Sequence, residues 1–292
     1  MENMKSLWWK QSMDIPGTSW NICGYSKSAY RTGFYISALD LMLDAGPQNF
    51  NKPSNIFITH SHIDHIACLP FTMIGEPGGN HIFNIYAPVE SESFIRDYIK
   101  SMFSANESKI VDPTPWYKYH ALLPTNSFRI TNKKTIIDVE VFKCHHHVPT
   151  ISYGLSEFRK KLKDEYSTLS GKEIGQLRKS GVEITNDTLF KTFAFVCDTT
   201  IQVFDTNPSI LEYPVIMIEC TYIHKEEFEM ANKHDHIHWD QLKPYVEKYP
   251  KTTFILFHFS QRYSEQELAD FFGNEVKSGL TNVKWWGMSK NT

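Results

Sequence analysis

Cysteine is scarce in this chain of 292 residues: five in all, an odd number, at Cys23, Cys68, Cys144, Cys197 and Cys220. They are spread singly, with no C-x-x-C pair and no disulfide framework, so the cytosol or another reducing compartment is expected. Long apolar runs are missing too. No window approaches the roughly 18 uninterrupted apolar residues of a membrane span. The N-terminus, Met1-Glu2-Asn3-Met4-Lys5, leads into Trp8-Trp9 without the apolar segment of a signal peptide. A soluble, untargeted protein with no membrane partner is expected. An excess of positive charge is also absent, and the net charge of −3 argues against a uniformly basic nucleic-acid binder. Internal repeats and low-complexity tracts are lacking.

What is present is ample apolar material, 41% of the residues with 14% aromatic, enough to bury a core. Strand-like runs alternate with helical patterns, which favours α/β layering. Strands are expected over 32–36 and 41–44, the second followed by Gly46-Pro47 as a turn. Glu90 to Phe103 reads as an amphipathic helix, and Gln241 to Tyr249 as another. Ser264 and Glu267 form a capping box that opens a helix expected to stop near Gly273. Residues 155–191, rich in Lys, Glu, Ser and Gly, break the pattern and read as an insertion within a single domain spanning 1–292.

Chemistry concentrates in Thr59-His60-Ser61-His62-Ile63-Asp64-His65, directly after the apolar run Asn55-Ile56-Phe57-Ile58. Four potential metal ligands within six residues at a strand end build a metal site. Three further apolar runs also end in a ligand: 139–142 before His146, 193–196 before Asp198, and 254–257 before His258. In α/β folds the carboxyl ends of strands gather sites, so these four can converge. With His60, His62 and His146 on one ion and Asp64, His65 and His258 on the other, Asp198 is the natural bridge. Two ions about 3.5–4 Å apart would share a hydroxide nucleophile, with Asp64 orienting it or accepting its proton. Imidazole and carboxylate without thiolate suit zinc, with manganese or iron as alternatives. Within Cys144-His145-His146-His147-Val148-Pro149, alternation alone leaves open which histidine faces the site.

The motif H-x-H-x-D-H at 60–65, followed in order by single His, Asp and His ligands, resembles the metallo-β-lactamase fold, an αββα four-layer sandwich. Within it the chain is similar to the tRNase Z family, which removes the 3′ trailer of precursor tRNA. The family's third ligand stands two residues before Val-Pro, which implies His146. Its Gly-Asp-Thr appears as Cys197-Asp198-Thr199, its His-Glu-Ala-Thr as Ile218-Glu219-Cys220-Thr221, and its His-Phe-Ser-x-Arg-Tyr as His258-Phe259-Ser260-Gln261-Arg262-Tyr263. A family histidine two residues before a helix N-cap corresponds to His238-Trp239-Asp240, with His236 as the competitor.

The resemblance implies catalytic roles for Asp64, Glu219 and His238, the last two paired so that the imidazole protonates the leaving 3′ oxygen. It implies two zinc ions, a precursor-tRNA substrate and a homodimer whose arm serves the partner's site. The family's extended arm lies where 155–191 stands, here without its Gly-Pro tip, and the N-terminal Pro-x-Lys-x-Arg-Asn loop is not recognisable. Arg159, Lys160, Lys161, Lys163 and Arg262 are the candidate contacts to RNA phosphates. The alternative reading is hydrolysis of a small phosphodiester, for which 155–191 would fold over the metals as a lid.

Overall fold

Two mixed sheets of seven strands each lie face to face, with helices on both outer surfaces. The computed structural model describes residues 9–74, 81–132 and 135–287. The first sheet runs in chain order through β1 (Gln11–Asp14), β2 (Asn21–Lys27), β3 (Arg31–Ile36), β4 (Leu41–Leu43), β5 (Asn55–Phe57), β6 (Phe83–Pro88) and β7 (Tyr117–Leu122). The second holds β8 (Ser127–Asn132), β9 (Thr135–Lys143), β10 (Ile151–Leu162), β11 (Thr185–Val196), β12 (Val215–Glu219), β13 (Thr253–Phe257) and β14 (Val283–Trp285). Parallel pairing from β11 to β14 and from β4 to β7 sends their carboxyl ends the same way within each sheet. Ligands that close these strands are therefore neighbours.

The layers follow from side-chain alternation. Phe34, Phe57, Val139, Val141, Tyr153, Phe193, Phe195, Met217 and Phe257 fill the space between the sheets. Ile56, Ile58 and Ile85 turn outward under α1 (Ile63–Ile66), α2 (Leu69–Met73) and α3 (Glu92–Glu107). The arm carries α4 (Gly171–Lys179). The other outer face is covered by α5 (Val203–Thr206), α6 (Phe228–Lys233), α7 (Trp239–Lys248) and α8 (Glu265–Lys277), with Leu242, Val246, Leu268 and Phe272 packed on Ile216, Ile218, Phe254 and Leu256. This is the four-layer αββα arrangement.

Local differences from the sequence reading have identifiable causes. The Ser264 capping box is present, but α8 continues through Gly273 to Lys277. Phe272 holds the helix down against Trp239, Phe259 and Trp285, and the chain turns only at Gly279, whose φ of 110° suits glycine alone. A further capping box, Ser170 with Glu173, opens α4 inside the stretch read as an insertion.

Residues 155–191 are the far halves of β10 and β11 together with α4. The two strands stay paired from Tyr153↔Phe195 out to Leu162↔Thr185. Leu155 and Ser156 are still buried, and exposure begins beyond them. From Ser152, where β10 leaves the site end of the sheet, to Leu162 the strand rises about 33 Å. This hairpin therefore projects from the end of the sheet opposite the ligands, and it does not cover them.

Candidate metal centre

Donor atoms from four segments meet at the carboxyl ends of the strands. His60 Nε2 lies 3.0 Å from His62 Nδ1, and His146 Nε2 lies 3.4 Å from the same atom. Asp198 Oδ2 faces this group, 3.6 Å from His60 Nε2 and 3.8 Å from His146 Nε2. Its other oxygen, Oδ1, faces a second group, 3.6 Å from His65 Nε2 and 3.3 Å from His258 Nε2. Asp64 Oδ2 completes that group at 3.4 Å from His65 and 3.7 Å from His258. The seven residues thus form two sets sharing one carboxylate. Ligand atoms around a tetrahedral cation bound at 2.0–2.1 Å stand about 3.3 Å apart, which is the spacing seen here.

The remaining ring nitrogens fix the tautomers. Thr59 Oγ1 gives its hydrogen to the Asp44 carboxylate and so accepts from His60 Nδ1 at 2.9 Å. Thr221 Oγ1 likewise donates to Glu219 and accepts from His258 Nδ1 at 3.1 Å. His65 Nδ1 donates to Asp44 Oδ2 at 3.0 Å, and His146 Nδ1 to the Asp235 carbonyl at 3.1 Å. Four imidazoles therefore carry hydrogen on Nδ1 and turn the Nε2 lone pair inward, as metal-binding histidines do. The buried Nε2 atoms of His65 and His258 have no hydrogen-bond partner among the described residues, a cost a cation relieves. The donor set fits divalent metal.

Charge points the same way. Burial holds His60 well below its ordinary pKa and His146 down to about 4, keeping both lone pairs free at neutral pH. His65 is the exception: burial opposes its charge, but Asp198, Asp64 and Asp44 outweigh that and hold it well above. Three carboxylates around one buried ring mark a site built for positive charge.

Backbone placement is equally specific. His258 leaves β13 with φ 63°, a strained value for a residue with a side chain, and its N–H is held by Ser26 Oγ at 3.2 Å. Gly46 packs against α1 so closely that a Cβ would lie 1.9 Å from the Asp64 carbonyl, which demands glycine there. Of the three adjacent histidines, His146 enters the site. His145 turns away to Thr206 Oγ1 at 2.6 Å, and His147 remains exposed beside it.

One pairing differs from the expectation. Glu219, fully buried, meets His236 rather than His238: Oε1 accepts from His236 Nδ1 at 2.8 Å. His238 is itself the N-cap of α7. Its Nδ1 accepts from the Asp240 N–H at 3.0 Å and its Nε2 donates to the His224 carbonyl at 2.8 Å, so neither nitrogen is free. The rule of a histidine two residues before the N-cap holds, but the helix begins two residues earlier than expected, and the rule then selects His236. Glu219 is anchored by Thr199 N–H, Thr221 N–H and Thr221 Oγ1 at 2.8–3.1 Å. Burial opposes the imidazolium of His236, yet Glu219 and its hydrogen bond, with Asp198 beyond, push the pKa up to about 9.

Four of the five expected phosphate contacts are paired with acids. Arg159 pairs with the partly buried Glu157, while Lys160 with Asp187 at 3.0 Å and Lys161 with Asp164 at 3.6 Å are exposed pairs of small energetic worth. Arg262 pairs with Glu227 at 3.0 Å and lies over the Tyr222 ring.

Sequence reasoning missed Asp44, which closes β4 in a left-handed conformation (φ 56°) and holds both His65 and Thr59. Its signal was the one already used for the ligands, a carboxylate ending an apolar strand. Replacing Asp44 with alanine is expected to cost about 10–100-fold in metal affinity or activity, read by titrating zinc against a chelating dye. Unchanged affinity would refute its orienting role.

Comparison with known proteins places this geometry. No protein-family profile matches the chain. The tRNase Z TRZ1 of Arabidopsis thaliana is 30% identical over 267 residues, covering 89% of this chain and 92% of the relative. The chain belongs to the tRNase Z family. The chloroplastic tRNase Z TRZ2 of the same plant is 28% identical over 264 residues, with 86% and 71% covered. Among solved structures, the short form of human tRNase Z superposes with a TM-score of 0.53 at 16% identity, covering 89% of this chain and 93% of that one. The metallo-β-lactamase fold protein YhfI of Bacillus subtilis gives 0.57 at 13%, covering 89% and 92%. The fold of this tRNase Z family member is therefore the metallo-β-lactamase fold. No helix among its described residues is long and apolar enough to cross a membrane.

Proposed function

We propose that the protein is a zinc-dependent endoribonuclease that cuts the 3′ trailer from precursor tRNA, leaving a 3′-hydroxyl on the tRNA and a 5′-phosphate on the trailer. The observation that carries this is Asp198 standing between two ligand sets, with the Glu219–His236 pair alongside, in a chain of the tRNase Z family. His60, His62, His146 and Asp198 would hold one divalent cation, and Asp64, His65, His258 and Asp198 the other. Two such cations, zinc first and manganese or iron as alternatives, supply Lewis acidity and an activated water.

The chain's own groups do the rest. His236 keeps Nδ1 on Glu219 and lies beside Asp198 and His258, where its other nitrogen would protonate the leaving 3′ oxygen. Glu219 fixes the ring and favours its charged form. Asp64 offers a carboxylate oxygen to orient the attacking water. The hairpin beyond residue 156, pointing away from its own site, supports use as an RNA-binding arm across a homodimer, within one domain otherwise. Five free cysteines support a reducing compartment.

The test is cleavage of a precursor tRNA bearing a 3′ trailer, beside bis-p-nitrophenyl phosphate and cyclic AMP, with and without chelator. Trailer removal that chelator abolishes and zinc restores is expected. Activity confined to the two small phosphodiesters would replace this reading with a small-molecule phosphodiesterase.

A further inference from the structure

A cleft of about 340 Å³ lies beside the ligand cluster, bordering it through His146. Its volume, at the low end for small-ligand sites, suits one nucleotide and not an oligonucleotide. Pro124, Val148 and Pro149 give it an apolar wall, and Lys143 and Glu90 its charges. His147 lines it as well. That ring packs tilted against those of His62 and His146, at 4.7 and 4.2 Å between centroids, while the residue as a whole stays exposed. The ring thus has fixed neighbours, is exposed and lines the cleft, the requirements of an aromatic platform for an unstacked base. Lys143 ends β9 on a backbone clamped from both sides by Asn207, whose side chain meets the Lys143 N–H at 3.3 Å and its carbonyl at 2.8 Å.

The two flanks of the cluster are distinct. His236 stands against His146 and His258, at 5.2 and 5.4 Å between centroids, whereas His147 stands against His146 and His62. If the tRNA 3′ oxygen leaves on the His236 side, the nucleoside on the other side of the scissile phosphate lies toward His147. Resting on the endoribonuclease reading above, we infer that this cleft seats the first nucleotide of the trailer, its base stacked on His147 and its next phosphate held by Lys143. His147 also stands near His146 and Asp235 as a conceivable third metal group. That role fails on His146, whose Nδ1 is spent on the Asp235 carbonyl and whose Nε2 faces the cluster.

The experiment compares wild type with His147→Ala and His147→Phe on a precursor tRNA carrying 2-aminopurine as the first trailer nucleotide, reading fluorescence on binding, cleavage kinetics and metal content. Stacking should quench the probe in the wild type and in His147→Phe, and the quench should be lost in His147→Ala. That variant should raise KM about ten-fold, with a smaller change in kcat and the wild-type metal content, and phenylalanine should restore KM. A quench indifferent to His147, a phenylalanine variant as weak as alanine, or loss of metal in either variant overturns the inference. A His147-dependent quench on RNA that the wild type leaves uncut would sustain the nucleotide seat and sink the endoribonuclease reading.

Discussion

Asp198→Ala abolishes cleavage and empties both halves of the centre at once. The reason is geometric: Oδ2 faces His60 and His146, and Oδ1 faces His65 and His258, so one carboxylate closes two ligand sets. Loss of several kcal/mol of transition-state stabilisation corresponds to a fall in kcat on the order of 10³–10⁴-fold. His62→Ala opens only the first set, since His62 Nδ1 contacts His60 and His146 and lies apart from Asp64 and His258. It should therefore retain about one metal equivalent per chain, on the two-cation count. Metal analysis of the two purified variants checks the contrast. Equal metal content in both would show that Asp198 does not bridge.

His236→Ala lowers kcat by about 10²–10⁴-fold while leaving folding and metal content nearly intact, as expected for loss of a general acid. His238→Ala does the reverse. It removes the cap of α7 and deprives the His224 carbonyl of its imidazole donor, which together should cost about 1–3 kcal/mol of stability. Thermal melts alongside single-turnover rates separate the two. A folded, metal-replete His238→Ala enzyme as slow as His236→Ala would return the acid to His238. The pH profile adds a sign. Glu219→Gln deletes the charge that raises the His236 pKa and leaves burial, which lowers it, so the basic limb of the rate profile should move to lower pH. A limb that stays in place would mean His236 is not the group being titrated.

Much of this centre was legible because its ligands are set by short spacings. His60, His62, Asp64 and His65 share one turn after β5, and each of the other strands in the set ends in an acceptor within a few residues of its last apolar position. Strand ends were legible for the same reason, since apolar runs of three to five residues stand out in any window. Helix ends were less so. The start of α7 and the end of α8 are decided by packing of Trp239 and Phe272, and a two-residue difference in α7 was enough to pair Glu219 with His238 instead of His236.

The amino-acid sequence by itself determined the kind of site: which side chains gather, in what order along the chain, and in a fold whose parallel strands end together. Only the tertiary structure decided which imidazole Glu219 holds, that Asp44 steadies His65 across 21 residues, and that the hairpin leads away from the ligands. The division follows from range. Spacing along a strand or turn carries a ligand's direction for a few residues, whereas contacts between separate strands depend on how the whole sheet packs.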